Sequence, residues 1–227
     1  MSKNDPAGST PARSREEALA DFKRSLTDEL DKIFDEATIA AAREKKTQKK
    51  APKEEPRVEV SNFGRVANIL LPPGWVERQP EPDEANPKRK LREFHPHENA
   101  DVKMCLFFRG HKVAEKSASA FSALLEKSTH FLTPSELKTV EEIVRDKADK
   151  TVFKVIVIAT REVNGLRVLV TEGRYLETNQ DVYAIHADAD GSGSIVQEVI
   201  FQGPKEDYLR FFSEALGAIK SIQWKPS

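Results

Sequence analysis

The chain has 227 residues, 32% of them charged, with 36 Lys and Arg against 37 Asp and Glu. That length holds one ordinary domain with an appendage, or two small domains, and the net charge of −1 gives no global pull toward nucleic acid or an anionic membrane. No apolar run approaches the roughly 18 residues of a membrane span, and the single cysteine, Cys105, excludes an internal disulfide and suits a reducing, cytoplasmic setting.

Residues 1–13, rich in Ser, Pro, Gly and Thr, read as a disordered leader without the apolar core of a secretion signal. Ser14 and Glu17 then match a capping box, and Leu19, Phe22, Leu26, Leu30, Ile33 and Ala37 recur at steps of three and four. This spacing predicts an amphipathic helix over 14–42, with four basic side chains against eight acidic ones. Residues 43–57 carry seven basic side chains against three acidic, with Pro52 and Pro56 and no apolar period, and read as a solvated linker. Its cations (Arg43, Lys45, Lys46, Lys49, Lys50 and Lys53) lack interleaved aromatics, so stacking cannot assist them and the stretch is not read as a nucleic-acid site. A helix with no other core of its own must cover its stripe by docking on its own domain, by pairing with a second copy, or by entering a groove on a partner protein.

From Val58 the texture is globular. Asn62–Leu71 is a first strand candidate, stopped by Pro72-Pro73-Gly74 and followed by Trp75; residues 77–90, with Pro80, Pro82 and Pro87, read as a surface excursion. Val102–Arg109 is a nearly continuous apolar strand, hence central. Ala118, Phe121, Leu124 and Leu125 share a helical face. Thr133-Pro134-Ser135-Glu136 opens a second helix with a capping threonine, proline at its first position and glutamate at its third, and Leu137, Val140, Ile143 and Val144 supply its stripe. Asn164-Gly165 between the β-branched runs 151–162 and 166–170 predicts a hairpin with a type I′ turn. Residues 181–187 and 194–202 form a second hairpin, and an amphipathic helix from Pro204 to Lys220 faces the core through Tyr208, Phe211, Phe212, Ala215, Leu216 and Ile219. Consecutive hairpins beside helices make the class α+β, with a mainly antiparallel sheet over 58–227.

The strand ending in Leu71-Pro72-Pro73-Gly74-Trp75 resembles the "strand, Pro, Gly, Trp" segment of the Mog1/PsbP-like proteins. Val196–Phe201, Tyr208 and the closing Ser221-Ile222-Gln223-Trp224 resemble their last strand, last helix and end. The resemblance spans about residues 60–225 and implies an α/β/α sandwich around an antiparallel sheet. It also implies a non-catalytic role, because the type proteins bind a small GTPase or a photosynthetic complex. It leaves the N-terminal helix unaccounted for.

The candidate chemistry is sparse. His95-Pro96-His97 sets two imidazoles on one side of an extended segment; with His111 and Glu93 or Asp101 they are candidate metal ligands, as are Asp188 and Asp190 in the Asp-Ala-Asp-Gly-Ser-Gly stretch. Aligning Asp190-Gly191 with positions 5 and 6 of a calcium loop leaves His186, Gly193 and Gln197 where that loop needs other residues, so the stretch reads as a hairpin connection. Cys105 sits in an apolar strand, where a thiol is inert. Glu141 and Glu142 read as a solvated helix face, and no nucleotide loop or nucleophile elbow occurs. The expectation is therefore a non-catalytic interaction or adaptor module with no cofactor and no catalytic residue. Its partner-binding residues are Leu19, Phe22, Leu26, Leu30 and Ile33; the alternative is a metal- or ligand-responsive accessory domain acting through residues 77–111.

Overall fold

A computed structural model of the protein describes residues 57–78 and 88–226. The leader, the 14–42 segment with Leu19, Phe22, Leu26, Leu30 and Ile33, and all of the linker but Arg57 lie outside the described residues.

Strands β1 (Glu59–Phe63) and β2 (Val66–Leu70) pair antiparallel about a turn at Gly64-Arg65. The single strand expected at Asn62–Leu71 is thus the end of one strand, a turn and a second strand. The buried positions explain this: Val60, Phe63, Val66 and Ile69 recur every three residues, a spacing that one alternating strand cannot bury. With β11 (Gln223–Trp224) they make a three-stranded sheet of order β1-β2-β11.

The larger sheet has eight strands: β3 (Trp75–Arg78), β4 (Lys90–Pro96), β5 (Lys103–Phe108), β6 (His130–Phe131), β7 (Phe153–Val163), β8 (Leu166–Tyr175), β9 (Gln180–Asp188) and β10 (Val196–Pro204). Their order is β3-β4-β5-β10-β9-β8-β7-β6, and each neighbouring pair is antiparallel. β5 is central, as its apolar run predicts. β3 and β4 flank the stretch expected to be a surface excursion; their alternation of charged with apolar residues hid them from an apolar-run criterion. At the β7–β8 turn Asn164 and Gly165 have φ of +48° and +78°, the left-handed pair that a type I′ turn requires.

Side-chain alternation sorts the sheet into two faces. One is covered by α1 (Glu115–Glu126), α2 (Pro134–Thr139), α3 (Glu141–Val144) and a short 3₁₀ turn (Arg145–Ala148). There Phe121, Leu124, Val140, Ile143 and Val144 pack with Ile158, Leu169 and Val196. The other is covered by α4 (Lys205–Lys220), where Phe201 meets Tyr208, Phe212 and Trp75 with ring centroids 5.0–6.4 Å apart. Each such ring contributes roughly 1.5–3 kcal/mol through its burial. The α+β class and the helix–sheet–helix layering are as expected from the sequence.

The capping box at Thr133 forms, with the Glu136 amide donating to the threonine hydroxyl (3.3 Å) and the Thr133 amide to the Glu136 carboxylate (2.9 Å). The helix it starts is shorter than its stripe suggested. It breaks at Val140 (φ −117°), where α2 gives way to α3; Arg109, buried at the end of β5, then donates to the carbonyl oxygens of Glu142 (2.8 Å) and Ile143, and Arg145 has φ of +59°, so the helical path ends after Val144. Glu142 is not simply a solvated residue either: its carboxylate accepts the Ala114 amide at 3.0 and 3.1 Å and so caps the start of α1. No helix among the described residues is long and apolar enough to cross a membrane.

Candidate functional site

Pro72-Pro73-Gly74-Trp75 is a tight turn closed by the Trp75 amide on the Pro72 carbonyl (3.4 Å), with Pro73 second and Gly74 third at φ of +76°, the arrangement of a type II turn. It delivers Trp75 to the first position of β3. The indole meets the Phe211 ring edge-on (centroids 6.4 Å apart, 87° between planes) and donates Nε1–H to Glu214 at 3.3 Å. Glu214 follows Phe211 by three residues, so both lie on one side of α4.

These residues bound a cleft of about 730 Å³, in the size range of ligand sites. One bank is the edge strand β3 (Trp75, Val76, Glu77); others are Arg57 and Val58 leading into β1, Pro96, His97 and Glu98 at the end of β4, and Phe211 and Glu214 on α4. β4 is the one strand neighbour of β3 among the described residues.

Among the described residues three carboxylates and one guanidinium, Arg57, line the cleft, but the environments of the carboxylates differ. Glu77 accepts two bonds from Arg92 (2.7 and 2.6 Å), and these hold its carboxyl below the usual carboxylate range. Glu98 pairs with Arg210 in an exposed contact that contributes about 1 kcal/mol or less. Arg210 also lies over the Phe211 ring, 4.8 Å from its centroid. Glu214 is held by the neutral indole. The cleft therefore combines a strand edge over buried aromatic rings with one carboxylate, Glu214, that has no ion-pair partner among the described residues, a place where a cationic group can be met.

The structure parts the sequence-predicted metal candidates. His97 lines the cleft, whereas His95 stands in β4 with Nδ1 2.8 Å from the Pro96 carbonyl, and His111 Nδ1 contacts the Arg109 carbonyl at 3.0 Å. Asp188 accepts the amides of Asp190, Gly191 and Gly193 (3.2, 3.0 and 2.9 Å), and Asp190 accepts the hydroxyls of Ser192 and Ser194 (2.8 and 2.9 Å), so both carboxylates close their own loop. Burial raises Asp188, while at Asp190 the hydroxyl and amide bonds outweigh burial and bring it to about 2. No three His, Cys, Asp or Glu side chains among the described residues gather around a point that would hold a metal.

The strongest polar cluster escaped sequence reasoning. On the α1–α3 face Glu198 Oε1 accepts Arg109 Nε–H at 2.7 Å, Glu198 Oε2 lies 3.5 Å from His186 Nδ1, and His186 Nε2 is 3.4 Å from the Thr171 hydroxyl. Burial, then the cations Lys147, Arg109 and Arg145, push His186 well below the ordinary histidine value and keep it neutral. The readable signal was a charge or an imidazole inside apolar strands, in Val196–Phe201 and Val182–Ala187. Cys105 is half-buried in β5; burial, then the Glu93 carboxylate, push its thiol up to about 12.

No family model and no curated protein matches the chain. Among solved structures it is similar to the solution structure of cyanobacterial PsbP (CyanoP) from Synechocystis sp. PCC 6803, at 13% identity and a TM-score of 0.47, over 79% of this chain and 98% of that one.

Proposed function

We propose that the protein is a non-catalytic interaction module that holds a protein partner. The 14–42 helix contributes Leu19, Phe22, Leu26, Leu30 and Ile33 as an apolar ridge, and the domain contributes the Trp75 cleft. The observation that carries this reading is the cleft itself: an open groove beside an edge strand, floored by Trp75 and Phe211 and walled by carboxylates. Such a surface suits docking of another chain better than enclosure of a small substrate. A cytoplasmic setting fits the single thiol.

The test is deletion of residues 1–56, which leaves Arg57 in the cleft wall. The melting temperature of the truncated chain stays within about 2 °C of the full chain, while association in pull-downs, or self-association by light scattering, is lost. A large drop in melting temperature makes the helix part of the domain's own core instead.

A second reading is a metal- or ligand-responsive accessory domain acting through residues 77–111. It is favoured by His97 and Glu98 standing side by side in the cleft wall. Titration of zinc or calcium followed by calorimetry decides it; absence of both heat and thermal shift removes it.

A further inference from the structure

We propose that the Trp75 cleft takes an extended, lysine- or arginine-bearing peptide as an added strand on the outer edge of β3, with a peptide cation on Glu214. The proposal rests on the interaction-module reading and names the chemistry of the partner.

The first support is the backbone. The His97 amide donates to the Gly74 carbonyl at 2.8 Å, which makes those residues a hydrogen-bonded pair across β3 and β4. Antiparallel pairs alternate, so Val76–His95 is the next bonded pair, and Trp75–Pro96 and Glu77–Phe94 are the non-bonded ones. Pro96 fits this phase, because it has no N–H to give to Trp75. The Trp75 carbonyl and the Glu77 amide and carbonyl accordingly point away from β4. They form an acceptor–donor–acceptor row on the outer edge of β3, which pairs with no second strand among the described residues and whose Trp75 and Glu77 line the cleft. An extended peptide satisfies such a row with its own main chain.

The second support is charge. Arg92 and Arg210 already serve Glu77 and Glu98, but among the described residues Glu214 receives the Trp75 indole N–H alone. A lysine or arginine reaching Glu214 gains a charge-assisted hydrogen bond beside two aromatic rings. Arg210 over Phe211 shows, within the molecule, how a guanidinium sits on this aromatic floor. An acidic peptide instead places a like charge against the Glu214 carboxylate.

The experiment selects random dodecapeptides on the full chain and measures Kd of an enriched peptide by fluorescence anisotropy. Enriched sequences carry Lys or Arg among alternating apolar residues. Glu214→Gln, which keeps an oxygen for the Trp75 indole and hence the fold, weakens binding about fivefold at low salt. Replacing the peptide's cation by Glu, or methylating the backbone nitrogens that face β3, abolishes binding. Enrichment of acidic or uncharged peptides, no enrichment at all, or Kd values unmoved by both Glu214→Gln and backbone methylation overturn the proposal. Partner capture that depends on residues 1–56 while the cleft ignores every peptide sinks this inference alone; peptide binding without any such capture sinks the helix-docking reading alone.

Discussion

Arg109 and Glu198 face each other at 2.7 Å with each side chain only 2% exposed, and the same guanidinium also holds the carbonyls of Glu142 and Ile143. One arginine thus joins two neighbouring inner strands of the large sheet, β5 and β10, to the helical segment lying over them. Glu198→Ala leaves that charge uncompensated in the interior, and the expected loss of stability is about 3–5 kcal/mol. Urea unfolding followed by circular dichroism measures it. The conservative Glu198→Gln retains an acceptor for Arg109 and loses less.

Neutral His186 makes stability depend on pH. Its folded pKa lies below the unfolded value of about 6.5, so below that pH the unfolded chain binds the proton more readily than the native one. The contribution is fully present above pH 6.5 and declines as pH falls toward the depressed folded value, by up to a tenfold change in folding constant per pH unit. Thermal melts between pH 7.5 and 5 show the fall, and His186→Gln flattens it. A wild-type melting temperature unchanged over that range contradicts the assignment.

Cys105 labels slowly. A thiol at about 12 rather than 9 presents roughly 10³-fold less thiolate at pH 8, and thiolate is the reactive species. Iodoacetamide alkylation of the native chain, followed by mass spectrometry, is therefore at least about 10²-fold slower than in urea. Glu93→Gln removes the second cause and speeds it modestly.

Local chemistry was legible where it is local. Asn164-Gly165 announces its own turn, Thr133 to Glu136 its own helix start, and Pro73-Gly74 its own reversal. The break at Val140 that splits the stripe after Pro134 into α2 and α3 was not legible, because no glycine or proline marks it, and neither was Arg109, which reaches the α3 carbonyls from a strand some thirty residues earlier. The cleft shows the same division. Trp75 stood out in the sequence, but Arg57, His97 and Glu214 meet it only through the pairing of β3 with β4 and the seating of α4 on Phe201. His95 and His97 looked equivalent at a spacing of two; the end of β4 at Pro96 is what separates them.

β5 and β10 are neighbours inside the large sheet, and the contact between Arg109 and Glu198 closes a loop of 89 residues. The four strands after that loop opens, β7 to β10, are linked by short turns and pair with sequence neighbours within microseconds. β3 to β5 join them only by closing the long loop, an entropic cost met before any seam contact rewards it. The meander of β7–β10 is then the early-folding half, and docking of β5 along β10 sets the refolding rate. Destabilising changes on β10 that face β5 slow refolding, whereas changes at the Trp75 cleft chiefly speed unfolding.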